Sequence, residues 1–176
     1  MPVVPEQVKA LIESAFADAQ YPGDWCLIGS LEGDEPVRVA EAFAGKSDWR
    51  SVDTGFIDQA PEGLGSALSF FSDEAFRFYL PAFMLADIDG KLQQADPVFS
   101  LTHGLDDASR GEYINPRRYG ERTWFDLMRC KFAMFRVDQA SAIIAYLQLM
   151  SQRDDFARAR IEQALTNYWT ARSNPG

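Results

Sequence analysis

The chain has 176 residues, with 17 basic against 26 acidic side chains, a formal net charge of −9 and a pI near 4.6. That length suits one domain spanning residues 1–176, and 47% apolar content is enough to fill a core, which argues against disorder. The acid surplus argues against nucleic acid and anionic membrane as partners, because both draw on surplus lysine and arginine; it leaves a basic protein open.

The first residues, Met1-Pro2-Val3-Val4-Pro5, lack the basic and continuously apolar regions of a secretory signal, and no stretch reaches about 18 uncharged apolar residues. A cytoplasmic chain is the expectation. Cys26 and Cys130, far apart, match neither a disulfide scaffold nor a zinc knuckle, and are read as buried free thiols. His103 is the sole histidine, so two-histidine metal motifs are excluded.

Taken in chain order, Pro5 suits a first helical position, and Val8, Leu11, Ile12, Ala15 and Phe16 recur on one helix face before Tyr21-Pro22-Gly23 stops it. Trp25 to Leu31 is apolar and reads as a short strand or extended piece, followed by the acidic turn Glu32 to Pro36. Val37 to Ala44 reads as a second helix ended by Gly45. Between Ser47 and Gly65 turn residues dominate, with Trp49, Val52, Phe56 and Ile57 as anchors.

Asp73 to Ile88 is the most informative stretch. Ser72 is a good cap, Asp73 and Glu74 suit the positive end of the helix dipole, and Phe78 to Ala86 carries no charge. A helix apolar on every side is a buried one, so it belongs at the centre of the fold. Pro81 within it lacks an amide hydrogen, which predicts a kink and an unbonded Arg77 carbonyl. Residues 91–123 read as irregular, with an extended piece from Pro97 to Leu101. Trp124 to Phe135 reads as a helix. Asp138 then caps a helix with Ala140, Ile143, Ile144, Leu147 and Met150 on one face. Asp154 or Asp155 caps a last one carrying Phe156, Ile161, Leu165, Tyr168 and Trp169.

Chemistry-bearing motifs fail on spacing. Leu85 to Asp96 overlays part of a calcium loop, but Leu85 stands at the first ligand position and Asp96 replaces the long bidentate glutamate. Gly63-Leu64-Gly65-Ser66 lacks the third glycine and the preceding strand of a dinucleotide turn. His103 near Asp106 and Asp107 has no recognisable nucleophile to activate. No metal, cofactor or catalytic residue is therefore assigned, and the chain reads as non-enzymatic.

Charge is the stronger signal. Residues 1–88 hold 5 basic and 15 acidic groups, net −10, and residues 89–176 hold 12 and 11, net +1. Arg110, Arg117, Arg118 and Arg122, interleaved with Tyr113, Tyr119 and Trp124, could grip phosphate, but the field of the whole chain repels a polyanion. These arginines are expected to pair with acids of the first half or sit solvated, and those beyond position 109 to face inward or toward acids of their own chain.

Phe71 to Ala82, a Phe-Ser-x-Glu-Ala-Phe-Arg block followed by Tyr-Leu-Pro-Ala, is preceded by Ala15 to Trp25 and Gly45 to Val52. Together these segments resemble a family of small uncharacterised bacterial proteins, a domain of unknown function. The resemblance implies membership and no activity. The expected architecture is a mainly α-helical single domain around the Asp73 to Ile88 helix, with room for a small β element from Trp25 to Leu31 and Pro97 to Leu101. The expected function is an acidic module that binds a basic protein, as an immunity protein binds a toxin. The alternative is an enzyme or small-molecule-binding protein with a pocket beside Pro81 formed by Arg77, Tyr79, Asp87 and His103.

Overall fold

The structure, a computed structural model, describes residues 2–58 and 67–174. The described chain is mainly helical: α1 (Pro5–Ala15), α2 (Asp34–Phe43), α3 (Thr54–Ile57), α4 (Ala67–Phe70), α5 (Asp73–Ile88), α6 (Pro97–Thr102), α7 (Pro116–Tyr119), α8 (Trp124–Phe132), α9 (Val137–Arg153), α10 (Asp155–Ala164) and α11 (Thr170–Ser173). Among the described residues there is no strand, only isolated antiparallel bridges between Ile28 and Phe71 and between Tyr113 and Thr123. Of the expected β element, only the Ile28–Phe71 bridge remains. Trp25 to Leu31 opens as a 3₁₀ turn, Asp24–Cys26. Pro97 to Leu101 is helical, because Pro97 takes the first position, where its missing amide hydrogen costs nothing, and the Asp96 carboxylate accepts the Phe99 N–H at 2.8 Å.

The chain divides into two compact units, one of Phe16–Ser100 and one of Met1–Ala15 with Leu101–Gly176. In the first, α5 is the hub and has the bounds its sequence predicts. Ser72 accepts the Ala75 N–H at 3.0 Å, and Asp73 and Glu74 occupy the first turn. The helix stays helical through Pro81 and buries Phe76, Phe78, Tyr79, Leu80, Phe83 and Met84. A strong cap and an all-round apolar sequence outweigh the one absent amide. Phe43 of α2 meets Phe71 and Tyr79 edge-on at 4.9 Å between ring centres, and Tyr79 stacks on Phe71 at 5.2 Å. Trp49 is buried beside them and donates its indole N–H to the Phe16 carbonyl at 3.1 Å.

The second unit is organised on α9, against which α1, α10 and α11 pack. Arg136 precedes it, donating Nη2 to the Ala15 carbonyl at 3.0 Å and gripping the Asp138 carboxylate through Nε at 3.1 Å and Nη2 at 2.9 Å. Asp138 therefore lies inside the first turn instead of capping it, held below the usual carboxylate range by the Arg136 hydrogen bond. Asp154 caps α10 by accepting the Phe156 and Ala157 N–H groups. Beyond α10 the chain makes a π turn, Leu165–Trp169. The wider turn shifts the buried stripe, so adjacent Tyr168 and Trp169 are both buried.

Two apolar stripes differ from expectation. Leu11 is 49% exposed while Val8, Ile12 and Ala15 point inward, and Phe156 is fully exposed while Ala157 and Ile161 are buried. Each helix is turned about its axis so that small and β-branched residues meet α9, leaving the larger residue beside them in solvent.

Candidate functional site

The residues proposed beside Pro81 divide between the two units. Arg77, Tyr79, Pro81 and Asp87 stand on α5, whereas His103 follows α6 in the other unit. Tyr79 is fully buried, with Phe43, Phe71 and Phe78 around its ring, and its hydroxyl donates to the Lys46 carbonyl at 2.7 Å. Aromatic packing fills the space at this side chain. Pro81 is buried; Arg77 and Asp87 are half-buried and engaged with other groups. His103 is half-buried with its ring edge-on to Trp124 at 5.2 Å. The Gly63 to Ser66 segment lies outside the described residues.

A polar chain that the sequence does not announce leads outward from Tyr79. Burial, and then the neighbouring Tyr21 hydroxyl, push the Tyr79 phenol well above its ordinary value. Tyr21 in turn donates to the Asp24 carboxylate, which also accepts the Gly45 N–H at 2.9 Å. Those two hydrogen bonds, that from Tyr21 first, hold Asp24 below the usual carboxylate range. The network ties the Asp24–Cys26 turn to the loop that follows α2.

That turn presents the most exposed aromatic ring of the unit. Trp25 is 87% exposed and Leu31 is 79% exposed. Gly23 adopts a left-handed φ of 95°, and a Cβ placed there would lie 2.7 Å from the Trp25 indole nitrogen, so the ring rests on bare glycine backbone. The flanking chain is stitched to the start of α5. Ser72 Oγ donates to the Cys26 carbonyl at 2.5 Å, and Ser72 N–H to the Leu27 carbonyl at 3.0 Å; Gly29 N–H donates to the Phe70 carbonyl at 3.0 Å. Acids surround it in sequence and space: Asp24, Glu32, Asp34 and Glu35 are exposed, and the exposed Glu74 carboxylate lies 3.7 Å from Cys26 Sγ.

The cysteines correct the expectation of burial. Both are free, but Cys26 is half-buried and Cys130 exposed. Cys26 sits in the Asp24–Cys26 turn, which buries no residue, and on α8 Phe125, Met128 and Phe132 take the buried face and leave Cys130 off it.

Charge follows the division into units. Phe16–Ser100 carries 15 acidic and 5 basic residues, net −10, and the remainder 11 and 12, net +1. The expectation for the arginines beyond position 109 holds in part: Arg136 and Arg158 pair with Asp138 and Asp155, whereas Arg110, Arg117, Arg118 and Arg129 are exposed and Arg122 is half-buried. Among the described residues no ion pair engages the latter five. Arg110 and Arg129 lie over the Phe125 ring at 4.1 and 5.9 Å, and Arg118 over Tyr119 at 5.4 Å. Covering an aromatic face with a guanidinium leaves the charge hydrated, which burial against the core would not.

Asp58 closes the acidic unit. Its carboxylate accepts the Gln94 and Ala95 N–H groups, both at 2.8 Å, and that of Gln93. Burial opposes its ionisation, but the three amides outweigh burial and hold it below the usual carboxylate range. A carboxylate with a depressed folded value contributes stability above its ordinary pKa of about 3.9 and loses it as pH falls through the lower folded value. Asp58→Asn is expected to cost about 1–2 kcal/mol near neutral pH and to flatten the dependence below about pH 4. Urea unfolding from pH 3 to pH 7 checks this; an unchanged acid limb contradicts it.

A family model described as a family of unknown function (DUF6714) matches residues 5–173, nearly the whole chain. The chain belongs to DUF6714. No curated protein and no solved structure matches it. This DUF6714 chain presents an acidic unit with an outward indole, and a near-neutral unit with outward arginines.

Proposed function

We propose that this DUF6714 chain is a non-enzymatic interaction module of the cytoplasm whose Phe16–Ser100 unit binds a basic protein, as an immunity protein binds a toxin. The observation that carries this reading is the coincidence of charge with structure: one compact unit holds a net −10, with most of its acids on the surface. A field of one sign on one body steers a complementary partner and rejects like-charged ones. Free cysteines suit a reducing compartment, and no helix among the described residues is long and apolar enough to cross a membrane. The packed rings around Tyr79 favour this reading over a small-molecule pocket at that side chain.

The test is capture of basic proteins from native cytosol at low salt, compared with a variant in which the exposed Glu32, Asp34, Glu35 and Glu41 are all changed to lysine. The wild-type chain is expected to retain a basic partner that the variant loses, with retention falling at least about ten-fold as salt rises from 20 to roughly 300 mM. If the wild-type chain and the variant retain the same proteins equally, the module reading fails.

A further inference from the structure

Trp25 is a large apolar side chain left almost wholly in water by a rigid support. The 3₁₀ turn that carries it is fixed at three places: Asp24 by Tyr21 and the Gly45 amide, the Cys26 carbonyl by the Ser72 hydroxyl, and the Cys26 amide by the Gly23 carbonyl at 3.1 Å. The indole rests on Gly23, where no side chain intervenes and the positive φ disfavours one. An aromatic ring on a mobile tail would lose entropy on docking; a ring on a pinned turn has lost it already. Rigid tryptophans of this kind are the residues that most often dominate a protein interface.

The immediate surroundings say what would cover it. Asp24 and Glu74 are exposed at the same turn, and Leu31, Glu32, Asp34 and Glu35 follow it in the chain. An acidic partner is repelled here, and a purely apolar one would leave these carboxylates against unlike surface. A guanidinium satisfies both features: its plane stacks on the indole, and its N–H edge donates to carboxylates beside the ring. An ammonium has no such plane and keeps its water more tightly.

We propose that Trp25 is the anchor of the acidic face and takes an arginine side chain from a basic segment of the partner protein. This rests on the reading of the Phe16–Ser100 unit as a binder of basic protein, and names the contact through which binding occurs. The Asp24 and Glu74 carboxylates at the turn receive the guanidinium edge.

The experiment uses the full chain and fluorescently labelled peptides of nine arginines and of nine lysines, with anisotropy measured at low salt. Wild-type protein is expected to bind the arginine peptide several-fold more tightly than the lysine peptide. Trp25→Ala, at a site too exposed to disturb folding, is expected to weaken arginine-peptide binding about five-fold and to bring it level with the lysine peptide; Trp25→Phe retains part of the difference. If Trp25→Ala binds both peptides as the wild type does, the anchor is overturned while the acidic-module reading stands. If neither peptide binds the wild type, that reading falls and takes the anchor with it. Self-association that Trp25→Ala abolishes, seen by sedimentation velocity, would show a second copy to be the occupant and would also overturn the proposal.

Discussion

Trp169→Ala is expected to lower stability by about 4 kcal/mol, measured by urea unfolding followed with far-ultraviolet circular dichroism. The indole is fully buried, with Phe132 at 4.9 Å, Tyr168 at 5.0 Å and Phe135 at 5.9 Å between ring centres. Removing it loses transfer free energy and leaves a cavity among rings that cannot collapse together. It also strips the Leu101 carbonyl of the indole N–H that reaches it at 2.9 Å. Trp169→Phe keeps most of the ring and orphans only the carbonyl, so a loss of about 1–2 kcal/mol is expected. Small domains hold only about 5–15 kcal/mol in all, so the alanine variant should be close to unfolding at body temperature. An unchanged urea midpoint would show that the π turn does not seat this residue in the core.

Tyr79→Ala is expected to cost roughly 3–5 kcal/mol in the acidic unit, and Tyr79→Phe about 1 kcal/mol. The alanine variant removes the ring that bridges Phe43, Phe71 and Phe78; the phenylalanine variant removes only the hydroxyl that serves the Lys46 carbonyl. A pH dependence accompanies this. Because burial raises the Tyr79 phenol above its ordinary value of 10.0, the folded state holds its proton where the unfolded state releases it. Its stability contribution is full below pH 10 and declines as pH rises past that value toward the higher folded one. Tyr21, also raised by burial and then by Asp24, acts in the same direction. Urea midpoints between pH 7 and 11 should fall steeply above 10 in the wild type and less steeply in Tyr79→Phe. Equal slopes would mean that the phenol ionises as freely in the folded state as in the unfolded one.

The α5 helix was legible residue by residue. A serine cap, two acids in the first turn and an uncharged middle are signals carried by neighbours in the chain, and no other element has to be known to read them. The same holds for Asp154 as a cap and for Gly45 after α2. Pro97 to Leu101 reads as extended because a short apolar run has no period long enough to decide, yet the segment is helical, as Pro97 behind Asp96 signals. Phe156 differs for another reason: within the regular turns of α10 it stands five residues, about 140°, from Ile161, so it falls off the face that Ala157, Ile161 and Ala164 bury.

The features proposed to carry function were less legible. Trp25 reads as part of an apolar strand or extended piece, since nothing in its own segment tells a ring covered by a neighbour from one held out over glycine. Tyr21, Asp24, Gly45 and Tyr79 form one network from positions scattered over the acidic unit, a juxtaposition that spacing cannot reveal. The expected placement of the arginines rests on a global argument about charge; Arg136 and Arg158 follow it by pairing with acids of their own chain, while Arg110, Arg118 and Arg129 lie over aromatic faces.

Mainly helical character and the unevenness of the −9 follow from the residues in order, because caps, periodicity and composition are local or additive properties. That the acidity falls within one compact unit, and that Trp25, Arg110, Arg117 and Arg118 face solvent, follows from the folded chain. Exposure is fixed by which distant segment covers a side chain, and that depends on contacts between residues far apart in the chain.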